Sequence, residues 1–163
     1  MVLIALLGLV FIFLFAKEIY GDKAALLASA LYAFSPSFLA HAPLVTTDMG
    51  LMVFTLIAIF YIRRFCEHRT RKYLFLSGLA VGLAFATKYS AIYLLPILFL
   101  IAAAYEWCVR DNKQFWKLRS FWSLCVWMGL IIGIGLGVVA CTYGIKEIPK
   151  FAVGLGRVIY HGE

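Results

Sequence analysis

Two opposite charges stand out against an apolar background. Asp48 follows Ser35-Pro36-Ser37-Phe38-Leu39-Ala40-His41-Ala42-Pro43-Leu44-Val45-Thr46-Thr47, and Lys88 ends Gly78-Leu79-Ala80-Val81-Gly82-Leu83-Ala84-Phe85-Ala86-Thr87. Ionisable side chains beside a bilayer are costly to keep, so each is a functional candidate. A carboxylate there can orient an acceptor group or bind a metal or a cation. A lone ammonium suits a lipid-linked phosphate, since it is a point charge with three donors. Each also has a plainer reading: Thr47 or Asp48 is well placed to cap a helix starting at that point, and Lys88 can snorkel into headgroups. His41 is a third candidate, either a substrate contact or an ordinary interfacial histidine; neither it nor His161 has a partner at metal-ligand spacing.

The elements that must position these residues are membrane helices. Of the 163 residues 64% are apolar and 14% charged, with a mean hydropathy of +0.96. Soluble domains run at roughly 45–50% and about 25%. That excess needs a second apolar solvent, and it excludes an ordinary soluble domain, a disordered chain, a collagen and a disulfide scaffold. The net charge of +7 points to membrane topology and not to nucleic acid, because the cations fall in short clusters between long apolar runs. Cys66, Cys108, Cys125 and Cys141 lie far apart without metal spacing and are expected to be buried.

A span across about 30 Å of hydrocarbon needs about 20 mostly apolar residues. Lipid leaves only helices and closed barrels as solutions, and the ten-residue alternation of a barrel strand is missing. Polar punctuation divides the chain into six expected helices at about 1–19, 23–40, 48–66, 72–88, 90–108 and 120–143, with 144–163 starting an extracytoplasmic loop. The expected fold class is all-α, a polytopic transmembrane bundle. The first run lacks a basic n-region and a cleavage site, so it reads as a retained helix rather than a signal peptide. Pro36 should kink or end the second helix.

Eleven of the fifteen Lys and Arg fall on one side of this topology, at Lys17, Lys23, Arg63, Arg64, Arg69, Arg71, Lys72, Arg110, Lys113, Lys117 and Arg119. That side, with 63–72 and 109–119, is expected to be cytoplasmic. The cluster from Glu67 to Lys72 also suits contact with anionic lipid. Asp48 and Lys88 then share the external side, and both termini face outward, which leads to the expectation that chain precedes Met1. The tail carrying Lys146, Lys150 and Arg157 reads either as the start of a loop over the external site or as an interfacial linker.

Small residues every four positions allow helices to approach closely, and Gly78, Gly82, Gly129, Gly133, Gly135 and Gly137 are expected to do this. Helix centres nearly free of polar groups argue against a transporter or channel segment. A non-catalytic membrane scaffold, with Asp48 as cap and Lys88 as snorkel, stays open.

The order of these features resembles the dolichyl-phosphate-mannose protein mannosyltransferase-like family, membrane glycosyltransferases of the GT-C fold. The resemblance lies in Tyr20-Gly21-Asp22-Lys23-Ala24-Ala25-Leu26-Leu27-Ala28, Ser35-Pro36, Thr47-Asp48, Gly78 to Ala84 with Thr87-Lys88, and Leu95-Pro96, over roughly residues 10–100. It implies a partial GT-C membrane domain. It also implies inverting transfer of a sugar from a polyprenyl-phosphate carrier, on the external face, to a hydroxyl of a protein, lipid or glycan. Asp48 would border the active-site cavity as the catalytic candidate, and Lys88 would lie near the carrier phosphate. The lipid-linked sugar is the donor substrate and no further cofactor is implied; membrane lipid and the acceptor are the expected partners. The family's principal acidic residue would lie before Met1, so the 163 residues are expected to be inactive alone.

Overall fold

In an apolar solvent every backbone N–H and C=O must be satisfied within the chain, and the apolar runs do so as helices. The computed structural model describes residues 2–36, 47–109, 118–143 and 153, and among these it is all-α. The helices are α1 (Val2–Tyr20), α2 (Asp22–Ala33), α3 (Thr47–His68), α4 (Arg71–Thr87), α5 (Leu94–Val109) and α6 (Leu118–Tyr143), with a 3-10 turn at Tyr89–Tyr93 before α5. Among the described residues three segments are long and apolar enough to cross a membrane: α1, α3 and Cys125–Thr142 within α6. The chain is a multi-pass integral membrane protein. At about 1.5 Å per residue the 12-residue α2 reaches only about 18 Å.

Sequence dictates several of the breaks. Gly21 has φ 86° and ψ −178°, a region that side-chain-bearing residues avoid, and this lets α1 reverse into α2 within one residue. Asp22 sits in the first turn of α2, where the helix dipole favours a carboxylate, and accepts from Lys17 Nζ at 2.7 Å. Helix α2 stops at Ala33, three residues before Pro36, whose ring disfavours helical backbone in the residue before it.

Helix α3 is the centre of the bundle. It packs on α1, α4 and α5; α2 covers α1 on one flank, and α6 covers α4 on the other. The core runs through Met49, Val53, Ile57, Ile62, Val81, Leu98 and Ile131. Helices α3 and α4 are antiparallel. The buried Ser77 hydroxyl on α4 donates to the Ala58 carbonyl on α3 at 3.4 Å, satisfying the polar group that lipid would strand. Along the parallel pair α1 and α3, the Phe11 and Phe60 rings meet edge to face at 5.4 Å.

At the α1 and α3 C-terminal end the sequence gives no hint of what the fold assembles. Glu18 lies between Arg63 and Arg64, bonded to the second of these, with Arg63 Nη2 at 3.4 Å from its other oxygen and 2.9 Å from Glu67. All four side chains are half-buried, so α1 is tied to α3 by charges 45 and 46 positions apart. Lys17, Lys23, Arg63, Arg64, Arg69, Arg71 and Lys72 gather at this end, and among the described residues Lys88 is the cation at the other.

The glycine expectation divides in two. A Cβ on Gly78 would meet Ile134 Cβ at 2.9 Å, and one on Gly82 would meet Val138 Cβ at 2.6 Å and the Gly135 carbonyl oxygen at 2.9 Å. These three glycines make the α4–α6 contact. Gly129, Gly133 and Gly137 have open space where a Cβ would stand, so their four-residue spacing forms no packing surface within the described residues. At 3.6 residues per turn they lie about 160° around the helix from the face that Ile131, Gly135 and Val139 bury. Cys66 is buried as expected, whereas Cys125 and Cys141 are exposed on that outer side of α6.

Candidate functional site

Asp48 and Lys88 come together. Antiparallel packing sets the first turn of α3 beside the last turn of α4, and Lys88 Nζ donates to Asp48 Oδ1 at 2.6 Å across 40 residues of sequence. Both side chains are well exposed, 64% for Asp48 and 43% for Lys88. An exposed ion pair adds little to stability, so this one contributes little to holding the fold.

The local backbone aims each of them. Asp48 lies in the first turn of α3, where the helix dipole favours its negative charge. Lys88 is the residue at which α4 stops: its backbone is extended, at φ −157° and ψ 138°, while its N–H still bonds to the Ala84 carbonyl at 3.1 Å. The Thr87 hydroxyl donates to the same carbonyl at 2.7 Å. The chain then tightens into the 3-10 turn, closed by Ala91 N–H on the Lys88 carbonyl at 3.1 Å, so that the exposed Tyr89 and Tyr93 follow directly after the lysine. Pro96 falls in the first turn of α5, where a missing N–H costs nothing.

Gly50 sets the spacing, and sequence reasoning passed over it. A Cβ at Gly50 would stand 2.8 Å from Thr87 Cγ2, so the absent side chain is what lets the end of α4 approach the start of α3. The only trace in the sequence is a glycine two residues after the aspartate, opposite a threonine next to the lysine. Gly50→Val is therefore expected to push Thr87 and Lys88 away, at a cost of roughly 1–3 kcal/mol for overpacking. Cysteines placed at 48 and 88 in a background without native cysteines should cross-link less through a short bifunctional reagent once Gly50→Val is added. A Gly50→Ala/Thr87→Ser pair, which trades the added methyl against the lost one, should cross-link as the parent does.

His41 lies outside the described residues, as do Lys146, Lys150 and Arg157 of the tail. Among the described residues no group of three or more His, Cys, Asp or Glu is placed to hold a metal ion. What the described rim offers is one carboxylate and one ammonium in direct contact.

The family model for dolichyl-phosphate-mannose-protein mannosyltransferase matches residues 1–132. The chain belongs to that family. Membership links it to GT-C-type membrane glycosyltransferases and, at family level, to sugar transfer from polyprenyl-phosphate carriers. The match covers α1 to α5 and about half of α6, including both members of the ion pair. No curated protein and no solved structure matches the chain.

Proposed function

We propose that this mannosyltransferase-family protein transfers a sugar from a polyprenyl-phosphate carrier to a hydroxyl of a protein, lipid or glycan on the extracytoplasmic face. The observation that carries the reading is the Lys88–Asp48 contact at the cation-poor end of the bundle, inside the stretch the family model matches. The cation-rich end, with 63–72 and 109–119, then faces the cytoplasm of a bacterial or archaeal cell, or of a eukaryotic cell if the membrane is the endoplasmic reticulum.

The chemistry asks little covalent work of the protein. The carrier phosphate is already a good leaving group; the acceptor oxygen bonds to the anomeric carbon as the carbon–phosphate oxygen bond breaks, in a single displacement that inverts the centre. The acceptor must lose a proton, the departing phosphate gathers charge, and water must be kept out. Lys88 is the phosphate contact: an ammonium has three donors, and Asp48 takes one of them. Asp48 works on the acceptor side, orienting the hydroxyl, and in the resting protein holds the ammonium in position. His41 is a further substrate contact in this reading.

Donor choice tests it. The full-length protein reconstituted in liposomes should transfer radiolabelled sugar from a polyprenyl-phosphate donor to a membrane or peptide hydroxyl, and should not use a nucleotide sugar directly. Transfer from the nucleotide sugar in the absence of carrier lipid would contradict the proposal.

A further inference from the structure

Helix α1 carries little in its own sequence to say how it should pack. From Met1 to Ala16 it has no polar side chain, and its charged residues are Lys17 and Glu18. Lipid is as apolar as these side chains, so burial favours no one face or height of α1 over another. Yet α1 meets α3 along a single stripe, Gly8, Phe11, Phe15 and Glu18, in one register. A Cβ on Gly8 would stand 2.9 Å from Val53 Cγ2, the Phe15 and Phe60 rings lie 6.1 Å apart, and Glu18 meets Arg63; each of these pairs is 45 positions apart.

Glu18 is the member of the stripe that discriminates. Lys17 is taken by Asp22 at 2.7 Å, on the α2 side. One Glu18 oxygen is bonded to Arg64, and the other, which is buried, is compensated by Arg63 at 3.4 Å. Both arginines are held in turn: Arg63 by Glu67 at 2.9 Å, and Arg64 over the Phe60 and Tyr73 rings at 4.9 and 5.7 Å. A slip of α1 by one turn, about four residues or 6 Å, would set Glu18 against Glu67 in one direction and Ile59 in the other. The first opposes like charges, and the second leaves a carboxylate unpaired in hydrocarbon. Phe11, by contrast, would face Phe60 or Met52, both apolar.

We infer that Glu18, with Arg63 and Arg64, is a register key: it fixes the height at which the α1–α2 hairpin docks on α3. Helix α2 travels with α1, since the Tyr32 hydroxyl donates to the Ala5 carbonyl at 3.1 Å and Asp22 holds Lys17. Ion pairs taken out of water add little net stability, and setting register is their best-attested use. The key lies at the opposite end of the bundle from Asp48 and Lys88 and does not depend on the proposed transfer.

Cross-linking through a short bifunctional thiol reagent, in the full chain without native cysteines and reconstituted in lipid, reads the register. Phe15→Cys/Phe60→Cys reports the native height, and Ile4→Cys/Val53→Cys reports α1 moved by one turn along α3. With Glu18 in place the first pair should link in preference. Glu18→Leu should raise the ratio of the second link to the first by roughly tenfold. Adding Leu14→Glu moves the acid back by one turn, and the link between 4 and 53 should then dominate, because α1 must slide for the new carboxylate to reach Arg63 and Arg64. Misfolding does not produce a gained link, and yields are read on the monodisperse fraction. An unchanged ratio in Glu18→Leu, or native linking that still dominates once the acid stands at 14, overturns the inference and gives the register to apolar fit around Gly8.

Discussion

Gly82→Leu is expected to separate α4 from α6 and to cost the bundle about 3 kcal/mol or more, while Gly133→Leu on the same pair of helices leaves it within about 0.5 kcal/mol of wild type. The difference comes from what each new side chain meets. At Gly82 the first added carbon already falls 2.6 Å from Val138 Cβ, 2.9 Å from the Gly135 carbonyl oxygen and 3.0 Å from Gly135 Cα. Two of those three neighbours are backbone atoms, which cannot rotate aside, so the helices must move apart. Their separation would open the contact made by Gly78 against Ile134 and expose the buried Ile131 and Val139. At Gly133 nothing stands within 4 Å, and a leucine there points outward. Thermal midpoints in detergent, read by size-exclusion chromatography after heating, check both. Equal midpoints for the two variants would mean that the α4–α6 contact is not as described.

Lys88→Ala is expected to lower kcat/KM for sugar transfer by about 100-fold, the scale of losing one charged or hydrogen-bonding stabiliser of a developing oxyanion. Asp48→Asn should also lower transfer, with insertion and elution unchanged in both, because an exposed pair contributes little to folding. The charge-swapped Asp48→Lys/Lys88→Asp variant separates chemistry from clamping: it can restore an ion pair, but it puts the ammonium on α3 and the carboxylate on α4. No recovery of transfer is expected. A swap that works as well as wild type would reduce the pair to a structural tie, and unchanged rates in both single variants would remove it from the site.

How much of this was legible in the sequence varies by residue. The all-α membrane class followed from composition, because lipid leaves an uninterrupted apolar run such as Met1 to Ala16 almost no alternative to a helix. Asp48 at the start of α3 and Lys88 at the end of α4 were readable for similar local reasons, since each acts on the backbone of its own neighbours, whereas α2 stops at Ala33, short of Pro36 and of the expected bound at 40. The family resemblance drew on the same short motifs and agrees with the match over residues 1–132. The glycine reading was half right: small-residue spacing shows that a helix can be approached closely, and not on which side. The buried-cysteine reading failed at Cys125 and Cys141 for a related reason, since in a membrane helix apolar surroundings are available on both the packed and the outer side.

What the sequence determined by itself was the solvent the chain lives in, the segments that must be helical and the charges costly enough to need a reason. Those are properties of short stretches and of hydration, and they do not require knowing which helix lies beside which. Tertiary structure alone decided that Lys88 reaches Asp48, that Gly50 leaves room for Thr87, that Glu18 sits between two arginines of α3, and that Gly82 rather than Gly133 faces a neighbour. These contacts join residues from 37 to 56 positions apart in separate helices. Helices that are apolar all round carry almost no pattern telling one face from another, so their rotation and order are fixed by side-chain fit once they pack.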